Sequence, residues 1–151
     1  MRALLALVLV TAAALTGCGG GDSDEEKKAE GQLRSSGAPT PVCVDQVKET
    51  EIPAAFPSDF PLPAGAKVYA TESRSGGRTI VYAVVDTDEK DVLKAMQTDV
   101  PDAGYTLTEG EVEERDAESN WKGNGYTGRW AIREVAGCTE QTSVTVLSAK
   151  D

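Results

Sequence analysis

Trp121-Lys122-Gly123-Asn124-Gly125-Tyr126-Thr127-Gly128-Arg129-Trp130 is the stretch that decides the fold. Asn-Gly is the strongest short hairpin signal, because both central residues of a tight turn between twisted strands need the left-handed backbone region. A hairpin about Asn124-Gly125 sets Trp121 opposite Gly128, an aromatic ring lying over a glycine. It also puts Trp130 and Ile132 on one face of the second strand.

Downstream, Thr142 to Ala149 carries Val144 and Val146 on one face and reads as the last strand. Upstream, Tyr105 and Leu107 open another strand, with Glu109 at the limit of its alternation. The acidic run Glu111-Val112-Glu113-Glu114-Arg115-Asp116 makes the end of that strand an exposed edge or a loop. Before it comes a helix. Thr87 or Asp88 is placed to cap it, and Asp88, Glu89 and Asp91 sit where the helix dipole favours acid. Val92, Leu93, Met96 and Val100 share one face. Pro101 ends or kinks the helix, and Gly104 is placed to close it.

Arg78 to Asp86 is apolar on both faces, with Ile80, Tyr82 and Val84 against Val81, Ala83 and Val85, so it reads as a central strand. Lys67 to Glu72 alternates, with Val68 and Ala70 on one face, and Ser73 to Gly77 is a turn. Ile52 to Ala66 holds four of the seven prolines, which excludes helix and sheet interior. Phe56, Phe60 and Leu62 are placed to pin this extended segment to the core. The expectation is one small α+β domain over residues 42–151. One helix packs on a four- to six-stranded, mainly antiparallel sheet.

The chain of 151 residues carries 15 basic and 25 acidic side chains, a net charge of −10. Such a charge repels phosphate backbones and anionic headgroups, so neither nucleic acid nor an electrostatic membrane contact is expected. There is no histidine, which removes the commonest general base and metal ligand. Nucleophilic catalysis needs an activated side chain beside a base. No such motif is visible, and no glycine-rich phosphate loop opens a helix. No enzyme activity, catalytic residue, cofactor or metal is expected.

The N-terminus is more specific. Met1-Arg2 is a short positive region, and Ala3 to Leu15 is apolar except for Thr11 and too short to span a bilayer. Residues 1–17 read as a signal peptide. The stretch ends in Leu15-Thr16-Gly17-Cys18, which resembles the bacterial lipobox in every position. That resemblance implies cleavage before Cys18 and acylation of its thiol. Two acyl chains suffice for durable anchoring, at about 0.8 kcal/mol per buried CH₂. The expected location is the extracytoplasmic face of the cell membrane, reached through acyl chains on Cys18. Residues 18–41, with almost nothing apolar from Gly19 onward, read as a tether whose flexible part spans roughly 25–30 Å.

Three cysteines less Cys18 leave Cys43 and Cys138. In an oxidising compartment an even remainder points to a disulfide, and there is no Cys-x-x-Cys redox spacing.

The segment Phe56-Pro57-Ser58-Asp59-Phe60-Pro61-Leu62-Pro63-Ala64-Gly65-Ala66, followed by two strands, a helix and Ala103-Gly104-Tyr105, is similar to small lipoproteins of high-GC Gram-positive bacteria. The resemblance covers roughly 50 residues. It implies fold and location, and carries no functional residue across.

Two clusters invite a ligand. Glu109, Glu111, Glu113, Glu114, Asp116 and Glu118 have the oxygen chemistry that Ca²⁺ takes, but a solvated strand edge explains them better. Asp86 to Asp91 lacks the glycine and the distal glutamate of a Ca²⁺ loop, so helix capping is the better account. Trp121 and Tyr126 flank the glycine-rich turn and are the candidates for exposed binding aromatics. The functional expectation is a non-catalytic, membrane-anchored binding or accessory module with a protein or cell-wall partner. The alternative is a structural or inhibitory interaction domain acting through a sheet edge.

Overall fold

The computed structural model describes residues 37–151. The expected signal peptide, Cys18 and the expected tether up to residue 36 lie outside the described residues. Six strands and one helix follow one another: β1 (Lys67–Arg74), β2 (Arg78–Val85), α1 (Glu89–Asp102), β3 (Thr106–Val112), β4 (Asp116–Gly123), β5 (Tyr126–Glu134) and β6 (Thr142–Lys150). All strand pairs are antiparallel, in the order β1-β2-β6-β5-β4-β3. The chain leaves β2 through α1, enters the far edge as β3, and meanders back until β6 lies beside β2. The result is one helix on an antiparallel sheet, at the strand-rich end of expectation.

The hairpin forms as its sequence requires. Asn124 and Gly125 both have positive φ, and Trp121 pairs with Gly128. A Cβ at Gly128 would collide with the Leu147 carbonyl oxygen and the Trp121 indole, so only glycine fits beneath that ring. β2 is flanked on both sides and buried on both faces. Val81, Ala83 and Val85 face the main core, while Ile80 and Tyr82 form a second cluster with Leu147.

Val92, Met96 and Val100 of α1 enter the main core at a spacing of four. Each such buried side chain contributes about 1.5–3 kcal/mol, which outweighs the marginal stability of a short isolated helix. Asp88 caps the helix, its Oδ1 accepting from the backbone N–H of Lys90 at 2.9 Å and of Asp91 at 3.1 Å. Pro101 is accommodated in the last turn rather than stopping it. Gly104, with φ of 90°, then donates to the Pro101 carbonyl, and Tyr105 donates to that of Val100. Those two bonds and the Val100–Tyr105 apolar pair make a Schellman ending.

β1 departs from simple alternation. Its register slips between Val68 and Ala70, so Tyr69 is an extra residue in the ladder. Val68 therefore faces the main core, and Ala70 joins Tyr69 against the second cluster. The expected shared face of Val68 and Ala70 is corrected by this bulge. The proline-rich segment covers the far part of the main core. Phe60 lies 4.7 Å from the Trp121 ring and 5.4 Å from that of Tyr105, centroid to centroid.

Cys43 and Cys138 are bonded, with Cα atoms 5.7 Å apart. The closed loop, with a sequence separation of 95, gives about 4–5 kcal/mol in the chain-entropy account.

Candidate functional site

The two ends of the sheet differ in how their polar groups are used. At one end lie the Asn124-Gly125 turn, the C-terminal end of α1 and the proline-rich segment. There Asp59 Oδ1 accepts from the Tyr105 hydroxyl at 2.6 Å, and Asp59 Oδ2 accepts from Asn124 Nδ2 at 2.7 Å. Asn124 Nδ2 also donates to the Ala103 carbonyl. The Tyr105 hydrogen bond, helped by Asn124, holds the Asp59 carboxyl below its usual range. Burial and that same hydrogen bond push the Tyr105 phenol up to about 12. The constellation ties three segments together and engages both oxygens of Asp59.

At the other end the strands β2, β4, β5 and β6 meet the N-terminus of α1 and the Val135–Gln141 loop. A cleft of about 1090 Å³ opens there. Its lip includes Cys138, so the disulfide joins the cleft to Cys43 near the start of the described residues. Gln141 fastens this end. Its Oε1 accepts from the Val44 N–H at 2.9 Å, and its Nε2 donates to Asp86 at 3.0 Å. The Thr142 hydroxyl donates to the Thr87 carbonyl at 2.8 Å.

Acid predominates in the lining, with seven carboxylates against two guanidiniums. Arg133 pairs with Asp116 at 3.0 Å, and Arg115 approaches Glu134 at 3.8 Å. Asp88, Glu89, Glu113, Glu114 and Glu140 are left in excess. Glu89 stands out. It is only 7% exposed, and its Oε1 is buried without a hydrogen-bond partner. Loss of solvent raises its pKa, Glu134, Asp88 and Asp116 add to the rise, and Lys90 partly offsets it. The indole N–H groups of Trp121 and Trp130 are also buried and unpartnered, but they are neutral donors inside the core. Glu89 is an ionisable acceptor on the wall of an open cleft.

The acidic run of the sequence does not converge. Glu109 and Glu111 are exposed on β3, and Glu113 and Glu114 reach the cleft. Asp116 is taken by Arg133, and Glu118 turns to the opposite side of β4 from Ala117, where it pairs with Arg129. Strand alternation sorts neighbours in sequence to different surroundings. Among the described residues no group of three or more His, Cys, Asp or Glu is arranged to hold a metal ion.

Trp121 is not exposed. Its ring is 2% accessible, roofed by Phe60 and Tyr105, so it has no free face for stacking. Tyr126 is half-buried against the same core. Pairing logic already places Trp121 inside: it lies opposite Gly128, two residues from the core residue Trp130, and therefore on the core face. The sequence marks Glu89 only as a first-turn acid, because nothing local in it shows the residue's burial. Among the described residues no helix is long and apolar enough to cross a membrane. No protein-family model, curated protein or solved structure matches this chain.

Proposed function

We propose that the chain is a non-catalytic binding module, held on the extracytoplasmic face of the cell membrane by acyl chains on Cys18 and presenting the acidic cleft to a partner. The observation that carries the reading is the bond between Cys43 and Cys138. With those two paired, Cys18 has no other cysteine in the chain to pair with. It is also the residue that Leu15-Thr16-Gly17-Cys18 marks for acylation. A disulfide of this span suits an oxidising compartment outside the cytoplasm.

The non-catalytic part rests on chemistry. Without histidine, an acid-base pair would have to come from carboxylates held close together with separated pKa values. In the cleft, Asp116 and Glu134 are instead matched to arginines. The cleft and the tether root share the disulfide, so a ligand in the cleft would sit near the membrane side of the domain.

Intact mass spectrometry of the mature product tests the anchoring. Loss of residues 1–17 and a diacylglyceryl adduct on Cys18 are expected. An unmodified Cys18 or a retained Met1 would overturn it. A second reading has its own observation. β3 is an edge strand, and Val112 at its end is 61% exposed. An added strand from a partner would pair there. Loss of a partner complex on Thr108→Pro, an exposed residue at the irregularity in β3 where proline is tolerated, with the cleft intact, would favour that reading.

A further inference from the structure

A buried carboxylate oxygen with no donor is costly in a finished protein, and the cost is removed by any N–H that reaches it. Glu89 Oε1 is such an oxygen, on a side chain more than nine-tenths buried and set in the wall of the cleft. The surrounding charge decides which donor suits it. After the Arg133–Asp116 and Arg115–Glu134 pairs are set aside, the lining is anionic, so the donor is a cation.

A hard metal ion is the wrong cation. Ca²⁺ needs six to eight oxygens and Mg²⁺ near-octahedral geometry. The described carboxylates do not converge in such a set. An ammonium or guanidinium needs one good acceptor and a negative surround, which is what Glu89 and the rim provide. The cleft is also too large for one such group. At about 1090 Å³ it reaches the upper limit of small-molecule sites, and its acids come from four separate stretches: the α1 N-terminus, the 113–116 turn, the end of β5 and the 135–141 loop. Cations spaced along an extended chain match that distribution.

We infer that the cleft takes a basic polypeptide segment, one lysine or arginine side chain donating to the Glu89 carboxyl group where it meets the cleft and its neighbours set against Glu113, Glu114 and Glu140. The inference rests on the binding-module reading and names the ligand of that module. It does not depend on whether Cys18 is acylated, so its failure and that of the anchoring are told apart by different measurements. The contact is electrostatic at the rim and weakens with salt, since screening acts within about 10 Å at 0.1 M.

The test is calorimetric titration of the full chain in neutral detergent with N-acetylated, C-amidated tri-lysine at low salt. Tri-lysine is expected to bind. Acetylating its side chains is expected to abolish binding. Glu89→Gln is expected to weaken it about tenfold, the loss of one charge-assisted hydrogen bond. Glu51→Gln, which removes an equal charge from an exposed site away from the cleft, is expected to change it less than twofold. The double variant Glu113→Gln, Glu140→Gln alters only exposed side chains, and is expected to weaken binding without disturbing the fold. Equal weakening by Glu51→Gln and Glu89→Gln would overturn the site. Tighter binding of spermidine than of tri-lysine would overturn the peptide assignment, and saturable Ca²⁺ binding that displaces tri-lysine would overturn the exclusion of metal. No binding of tri-lysine would overturn the inference outright.

Discussion

Asp59 and Glu89 stand at opposite ends of the sheet and show two ways of holding a carboxylate. Asp59 is exposed, yet both its oxygens are engaged, by Tyr105 and Asn124, and its pKa falls. Glu89 is buried, one oxygen has no partner, and its pKa rises. Folding favours the charge on Asp59 and opposes the charge on Glu89. A carboxylate with both oxygens engaged gains little from a ligand. An end left with an unmatched acid gains from any cation that enters.

The largest test of the contrast acts on the cleft end. Replacing both Cys43 and Cys138 with alanine removes the bond that joins the segment around Cys43 to the cleft lip. A loss of about 4–5 kcal/mol is expected in urea unfolding. A change below 1 kcal/mol would mean that Gln141 and its partners hold that end unaided.

At the opposite end the aromatic cover is the main support. Trp121→Ala is expected to cost about 3–5 kcal/mol, through lost burial and the cavity left beneath Phe60 and Tyr105. Unchanged stability would place the indole outside the core. Gly104→Ala is a smaller change. It forces a side chain into the left-handed region at the Schellman ending and is expected to cost about 1–2 kcal/mol by thermal melting.

The finest test is the sign of the pH dependence. The folded pKa of Asp59 is lowered, so its contribution is present above the ordinary value of 3.8 and is lost as pH falls through the folded value. The folded pKa of Glu89 is raised, so the folded state holds its proton longer than the unfolded one. Stability should therefore fall as pH rises from the ordinary value of 4.5 to the raised one. Asp59→Asn should remove the acid-side loss, and Glu89→Gln should flatten the decline above it. A decline that survives in Glu89→Gln would assign it to another group.

Much of this architecture is legible in the sequence because it is local. Asn124-Gly125 dictates its turn, and Gly128 its open place under Trp121. Asp88 and Gly104 mark the two ends of α1, and the two-faced run Arg78–Val85 marks an interior strand. The bulge at Tyr69 escapes because an inserted residue leaves the composition of a strand unchanged while reversing its faces. Pairing puts Trp121 on the core face, but which ring covers it escapes because Phe60 lies far away in the chain. The cleft is least legible of all. Its acids come from four stretches, and Glu89 reads as an ordinary first-turn acid until its surroundings are known. Periodicity tells which residues share a face, and only the assembled chain tells what covers that face.

The most direct measurement is a carboxyl-carbon NMR titration of the full chain in neutral detergent, with and without tri-lysine. Glu89 is expected to titrate above 4.5 and Asp59 below 3.8, and tri-lysine is expected to lower the Glu89 midpoint while leaving that of Asp59 in place. A Glu89 midpoint at or below its ordinary value, or equal movement of both acids on adding peptide, would contradict the account.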